Sequence, residues 1–213
     1  MIRKSGIILA LDMEDPDWAV DVCRDTAEFI DAVKVGYPLV LSAGISILQR
    51  LKDVGKPVIA DFKVADIPYI SRQICERAVN GGADYVIVQG FLGEDVVKSC
   101  AEVAQIFVVA DMTHPGAKDY IHDRSMEIAR MAKKHAFGLV APATRPEAIE
   151  SLRKEVGAMV IISPGIKAQG APPGSAVAAG ADFEIVGRGI YEADDPREAA
   201  EEVYAAIKKF LPL

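Results

Sequence analysis

Short apolar, β-branched segments recur along the chain at intervals of roughly 25 residues, the length of one strand–helix unit. They cover residues 7–11, 32–35, 57–60, 85–88, 106–110, 137–141, 159–162 and 183–186. Strands that alternate with helices pair in parallel through right-handed crossovers. The eight units therefore predict an α/β fold, a closed (β/α)8 TIM barrel that occupies residues 1–213 as a single domain.

An open, doubly wound sheet is the structural alternative. Such a sheet normally has a glycine-rich turn after its first strand. Here residues 11–14 read Leu-Asp-Met-Glu, and no GxGxxG motif is present. Pro16, Pro146 and Pro196 instead mark the first turns of three helices, because proline is tolerated where the backbone N–H has no intrahelical partner.

The composition argues against nucleic-acid and membrane partners. The net charge is −7, whereas nucleic-acid binding proteins usually present a basic face. The apolar segments are too short to span a bilayer. Cys23, Cys75 and Cys100 are far apart and form no CxxC pair, which predicts free thiols in a reducing, cytoplasmic compartment.

Charged residues follow several of the apolar segments. In a TIM barrel the active site lies at the carboxyl ends of the strands, so these residues should meet on one rim. They are Asp12, Lys34, Asp61, Lys63, Asp66 and Asp111. Asp61 and Lys63 should share one face of an extended strand, since side chains alternate with period two. Carboxylates and ammonium groups in alternation can hold one another charged and rigid, which is typical of a preorganised electrostatic site.

The last two strands carry a second signal, because barrel enzymes often bind phosphate at the loops that follow strands seven and eight. The first of these loops, residues 163–170, contains two glycines, and the second contains Gly187, Arg188 and Gly189. Glycine lets backbone N–H groups approach an anion, and arginine offers a bidentate fork. This pattern predicts a phosphate site.

Metal and cofactor chemistry is not expected. The chain contains three histidines, His114, His122 and His135, and their spacing does not resemble that of metal ligands. We expect His122 and His135 to be surface residues.

The order of these motifs resembles the orotidine 5'-phosphate decarboxylase family. Residues 61–68, Asp-Phe-Lys-Val-Ala-Asp-Ile-Pro, resemble its DxKxxDI signature, and Asp12 and Lys34 stand where the family has its first Asp and Lys. Residues 112–117 look like its pyrimidine-side loop and residues 163–170 like its mobile phosphate lid. Gly187 and Arg188 look like its phosphate site.

The resemblance implies decarboxylation of orotidine 5'-monophosphate to uridine 5'-monophosphate, in pyrimidine biosynthesis, without metal or cofactor. Lys63 would protonate C6 of the pyrimidine as CO2 leaves, and Asp61 would lie against the substrate carboxylate. Lys34 would bridge Asp61 and the ribose, and Asp12 would bind a ribose hydroxyl.

The resemblance also implies a homodimer, with Asp66 and Ile67 reaching into the neighbouring subunit's site. Ile70 is a further candidate contact, at a position where many relatives have Thr, so a polar contact is lost. The remaining implied substrate contacts are Thr113 with the pyrimidine, Gln169 with pyrimidine and phosphate, Gly187 and Arg188 with the phosphate, and Pro164, Gly165 and Ile166 in the lid.

Two other functions fit parts of the pattern. One is a Mg2+-dependent sugar-phosphate decarboxylase or aldolase of the same superfamily, which would share DxKxxD. Those enzymes typically have Glu where this chain has Lys34, because Mg2+ needs carboxylate ligands. The other is a non-catalytic barrel that binds a phosphate ligand, which would need Gly187 and Arg188 but not the Asp61–Lys63 pair.

Overall fold

The computed structural model describes residues 1–211, so the last two residues of the predicted domain lie outside the described part. Its strands are β1 (Ile7–Leu11), β2 (Ala32–Val35), β3 (Val58–Val64), β4 (Tyr85–Gln89), β5 (Ile106–Val109), β6 (Gly138–Val140), β7 (Val160–Pro164) and β8 (Phe183–Val186). All pairings are parallel and follow chain order, and β8 pairs with β1 to close the barrel. The predicted TIM barrel is therefore confirmed.

Helices cover the outside of the barrel. They are α1 (Pro16–Asp25), α2 (Tyr37–Ala43), α3 (Ile47–Lys52), α4 (Pro68–Asn80), α5 (Glu94–Ala101), α6 (Ala117–Tyr120), α7 (Ser125–Ala132), α8 (Pro146–Val156), α9 (Ser175–Ala178), α10 (Arg188–Tyr191) and α11 (Pro196–Lys208). The predicted starts at Pro16, Pro146 and Pro196 are confirmed. Asp15 and Asp195 cap two of these helices, because their side chains accept hydrogen bonds from backbone N–H groups of the first turn.

The hydrophobic core has two layers, because successive side chains of a barrel strand point alternately inward and outward. The inner layer fills the barrel and includes Ile8, Ile59, Phe107, Phe183 and Ile185. The outer layer packs the strands against the helices and includes Leu9, Val33, Val86, Leu152 and Val203. Both layers are almost fully buried, so the strands form a rigid frame for residues at their carboxyl ends.

The strand β3 is longer than the apolar pattern predicts. The predicted segment ends at Ala60, whereas the strand continues to Val64 and contains both Asp61 and Lys63. Asp61 and Lys63 interrupt the apolar pattern, so the pattern does not predict the last four residues of the strand. Between Ala60 and Val64 the register with β4 shifts, so the extended part of the strand is irregular.

Candidate active site

Three charged side chains continue the inward-facing rows of the barrel strands. Each lies two positions after an interior apolar residue: Asp12 after Ala10, Lys34 after Ala32, and Asp61 after Ile59. Since β2 lies between β1 and β3, Lys34 stands between the two carboxylates. The alternation that fills the barrel with apolar groups therefore ends in a charged layer at the carboxyl ends of the strands.

These groups form one continuous chain with Lys63. The Nζ atom of Lys34 lies 2.9 Å from an oxygen of Asp61 and 3.1 Å from an oxygen of Asp12. The Nζ atom of Lys63 lies 2.8 and 2.9 Å from the two oxygens of Asp61. The order along the chain is Asp12, Lys34, Asp61, Lys63, in alternating charge as predicted.

The inner pair is charged and buried. Side chains of Lys34 and Asp61 are each 7% exposed. Burial by itself would raise the pKa of Asp61, but the ammonium groups of Lys34 and Lys63 outweigh it and hold that pKa below its usual value. Burial would lower the pKa of Lys34, yet Asp61 and Asp12 raise it above its usual value. Mutual attraction therefore keeps both groups ionised.

The backbone at Lys63 differs from the regular strand assumed in the sequence analysis. Its φ angle is 41°, in the left-handed region that residues with a Cβ rarely adopt. The side chains of Asp61 and Lys63 meet as predicted, but across the irregular part of β3. Phe62, between them, is buried and stacks on Tyr37 with ring centroids 5.4 Å apart. We attribute the left-handed conformation at Lys63 to the packing of Phe62 and to the ion pair between Lys63 and Asp61.

Gly36 leaves space for the carboxylate of Asp12. A Cβ atom at Gly36 would lie 2.3 Å from Oδ1 of Asp12, closer than any non-bonded contact allows. A side chain at this position would displace the carboxylate from Lys34. The glycine after β2 thus helps to hold the first member of the charged chain.

The charged chain borders a cavity of about 450 Å3, a size that suits a small ligand. Predicted site residues that line it are Asp12, Lys34, Asp61, Lys63, Thr113, Pro164, Gly165, Ile166, Gln169, Gly187 and Arg188. Inward-facing apolar side chains, among them Ala10, Ile87 and Val140, complete its wall. These apolar residues were not among the predicted site residues, although the alternation along each strand indicates their inward direction.

Arg188 supplies an exposed cation at one side of the cavity. It is the first residue of α10, directly after Gly187. Within residues 1–211, its guanidinium has no carboxylate partner within ion-pair distance. It can therefore bind an external anion without losing an existing ion pair.

Three predicted site residues lie outside the cavity. Asp66 and Ile67 are exposed, and Ile70 lines a separate groove with Tyr37, Leu41, Ile45, Phe62 and Ile74. The hydroxyl of the fully buried Ser71 bonds to the backbone of Asp66, accepting from its N–H and donating to its carbonyl oxygen. This contact fixes the backbone that presents Asp66 outward.

Asp111, predicted on the rim, lines the cavity and belongs to a second charged cluster whose other members were not predicted. Asp111 is fully buried, and its carboxylate contacts Arg145 and His122. We expected His122 on the surface, but its ring is partly buried and Nδ1 lies 2.8 Å from Oδ2 of Asp111. No local sequence pattern predicts either contact of Asp111, because Arg145 and His122 lie in other segments of the chain. His135, also expected on the surface, is likewise partly buried, and its Nε2 lies 2.8 Å from Oε1 of the exposed Glu94.

Within the described residues, no group of three or more His, Cys, Asp or Glu side chains is arranged to hold a metal ion. Among the helices of residues 1–211, none combines the length and apolar character needed to traverse a lipid bilayer. Cys23, Cys75 and Cys100 are buried free thiols.

The chain is similar over nearly its whole length to proteins of one family. Residues 5–203 match the model of the "Orotidine 5'-phosphate decarboxylase / HUMPS family". An orotidine 5'-phosphate decarboxylase from Methanosarcina barkeri is 50% identical over 98% of this chain and 97% of its own length. Its counterpart from Thermococcus kodakarensis is 41% identical over 97% of this chain and 98% of its own length.

Solved structures agree with this assignment. Orotidine 5'-monophosphate decarboxylase from Methanocaldococcus jannaschii, in complex with the inhibitor BMP, superposes with a TM-score of 0.90 at 37% identity, covering 95% of this chain and 98% of that one. The enzyme from Pyrococcus horikoshii also superposes with a TM-score of 0.90, at 42% identity, and the match covers 95% of this chain and 99% of that one. The barrel, the charged chain and these similarities lead to one conclusion: the chain belongs to the orotidine 5'-phosphate decarboxylase / HUMPS family.

Proposed function

We propose that this protein decarboxylates orotidine 5'-monophosphate to uridine 5'-monophosphate, a step of pyrimidine biosynthesis. The observation that carries the proposal is the alternating chain of Asp12, Lys34, Asp61 and Lys63 at the edge of the cavity. The names of the relatives support it, since both curated proteins described above are orotidine 5'-phosphate decarboxylases.

Lys63 is the proposed proton donor. The bond between C6 and the carboxylate carbon breaks, its electron pair stays on C6, and a proton from Nζ of Lys63 moves to C6. Neutral Lys63 then regains a proton from water. Before that transfer, the ammonium group stabilises the negative charge that develops at C6, which is the effect expected of a preorganised site. In this proposal Asp61 faces the departing carboxylate.

The other residues of the cavity bind the rest of the nucleotide. Asp12 and Lys34 take the ribose hydroxyls, and Thr113 and Gln169 contact the pyrimidine. Gly187 and Arg188 bind the phosphate, which a free guanidinium can hold with two parallel hydrogen bonds. Gln169 lies in the exposed part, residues 167–170, of the proposed lid, from which it reaches both ends of the ligand.

The proposed assembly is a homodimer with shared sites, in which Asp66 and Ile67 enter the partner's cavity. Support comes from an apolar surface beside them, the groove bordered by Tyr37, Leu41, Ile45 and Ile70. Leu41 is 81% exposed and Tyr37 48%. Exposed apolar side chains grouped in this way are typical of an interface between proteins.

The proposed location of the protein is the cytoplasm. A reducing compartment suits a chain with three free thiols.

The Mg2+-dependent sugar-phosphate enzymes are the main alternative, because the family description includes HUMPS. Lys34 argues against them in this chain. Its ammonium group lies within ion-pair distance of both Asp12 and Asp61, the carboxylates that a cation would need. A non-catalytic binding protein would have no use for the buried charges of Lys34 and Asp61, which are costly to desolvate.

The enzyme should turn over orotidine 5'-monophosphate after exhaustive chelation and dialysis, at the rate of the untreated protein. The reason is that the proposed chemistry uses ammonium and carboxylate groups alone. The measurement is the absorbance change as orotidine 5'-monophosphate becomes uridine 5'-monophosphate. Activity that disappears on chelation and returns with Mg2+ would favour the sugar-phosphate alternative.

Replacing Arg188 with Ala should lower kcat/KM for orotidine 5'-monophosphate by about 10²-fold, since remote binding energy drives lid closure over the reacting ring. The control substrate is orotidine, which lacks the phosphate, assayed in single turnover at high enzyme concentration. The kcat/KM for orotidine should be nearly the same in the variant and in the wild type. An equal loss with both substrates would indicate that Arg188 acts through the fold and not through the phosphate.

A further inference from the structure

Asp111 uses both carboxylate oxygens to connect three segments of the chain. Oδ1 accepts a hydrogen bond from the backbone N–H of Met112 at 2.8 Å and lies 2.9 Å from Nη2 of Arg145. Oδ2 lies 2.8 Å from Nδ1 of His122. This distance is that of a hydrogen bond, so each carboxylate oxygen has at least one partner.

The three segments meet beside the cavity. Asp111 and Met112 follow β5, Arg145 precedes α8, and His122 begins the short 3-10 turn after α6. Nη2 of Arg145 also contacts the carbonyl oxygen of Met112. Both polar groups of the Met112 backbone are therefore held, one by Asp111 and the other by Arg145, and the next residue is Thr113.

The cluster is buried enough to act as a fixed support. The side chain of Asp111 is 0% exposed, that of Arg145 is 12% and that of His122 is 34%. A buried carboxylate needs partners for both oxygens, and losing one partner leaves an oxygen unsatisfied. Without His122, Oδ2 would lose its partner, and only the contacts of Oδ1 with Met112 and Arg145 would still orient the carboxylate. Asp111, Met112 and Thr113 all line the cavity, so such a shift would reach the ligand.

We propose that His122 and Asp111, together with Arg145, are positioning residues that fix Thr113 for contact with the pyrimidine ring. This inference rests on the proposed function, in which Thr113 contacts that ring. Positioning within a fraction of an ångström strongly affects reaction rates, so residues that never touch the substrate can still matter for catalysis. His122 is the outermost member, and its role is to hold Asp111 in the orientation that supports the loop.

The test compares ligands with and without a base. Competitive inhibition by uridine 5'-monophosphate and by ribose 5-phosphate is measured in wild type, His122→Leu and His122→Asn. Asn can place an amide donor close to the position of Nδ1, so it should restore most of the function. His135→Leu is the matched control, because it removes a His–carboxylate pair of the same length, 2.8 Å to Glu94, outside the cavity.

The expected result is base-specific. His122→Leu should weaken inhibition by uridine 5'-monophosphate about 10-fold and lower kcat/KM similarly, while inhibition by ribose 5-phosphate stays unchanged. His122→Asn and His135→Leu should resemble wild type. Equal weakening of both inhibitors, or no change in either, would overturn the inference. Wild-type protein that fails to turn over orotidine 5'-monophosphate would instead refute the proposed function, whatever the inhibitors show.

Discussion

Lys63→Ala should lower kcat by about 10³-fold or more while uridine 5'-monophosphate still binds. A positioned proton donor contributes about 10²–10⁴-fold, and electrostatic stabilisation of the developing charge adds to that. Lys63 is suited to both roles because its side chain is 40% exposed toward the cavity while its ammonium group bonds to Asp61. The measurements are single-turnover decay of orotidine 5'-monophosphate and titration with the product.

The variant should fold, since Asp61 keeps its other partner. The Nζ atom of Lys34 remains 2.9 Å from Asp61, so the substitution leaves no unpaired buried charge. Lys52→Ala is the control: it removes a Lys–Asp ion pair of 3.0 Å, to Asp84, away from the cavity. That variant should keep wild-type kcat. If Lys63→Ala retains more than about a tenth of kcat, Lys63 is not the proton donor.

The sequence predicted the barrel because local patterns encode it. Eight apolar segments separated by helices are compatible with few topologies. In a parallel barrel the carboxyl ends of all strands lie on one rim, whatever the conformation of the loops. For that reason Asp12, which follows β1, Lys34, near the end of β2, and Asp61, which follows the apolar part of β3, could be assigned to one site before any contact was known. Their partners in space follow from the order of neighbouring strands.

Other features depend on contacts that local patterns do not encode. The left-handed backbone at Lys63 accompanies the packing of Phe62 against Tyr37, the first residue of α2. The pairing of His122 with Asp111 requires the turn after α6 to fold back on β5. Periodicity describes one segment at a time, so a histidine on a polar stretch is expected to face solvent. Only the packed structure shows which of the three histidines is held against a buried carboxylate.

Mixed dimers of Lys63→Ala and Asp66→Ala chains should recover activity that neither homodimer has. In the proposed two-fold dimer, each site takes Lys63 from one chain and Asp66 from the other. The geometry within one chain supports this: Asp66 is exposed and lies outside the cavity, and Ser71 holds its backbone through two hydrogen bonds. Each homodimer then has two damaged sites.

After dissociation and random re-pairing, about half of the dimers are mixed, and each mixed dimer has one intact site and one doubly damaged site. About a quarter of all sites should therefore recover. The measurement is the turnover of orotidine 5'-monophosphate before and after re-pairing, with the mixed species counted by native mass spectrometry. Re-paired Lys63→Ala protein alone is the control for the procedure and should stay inactive. Mixed dimers that are present but inactive would place Asp66 in the same subunit's site as Lys63, because each site would then lack one of the two residues.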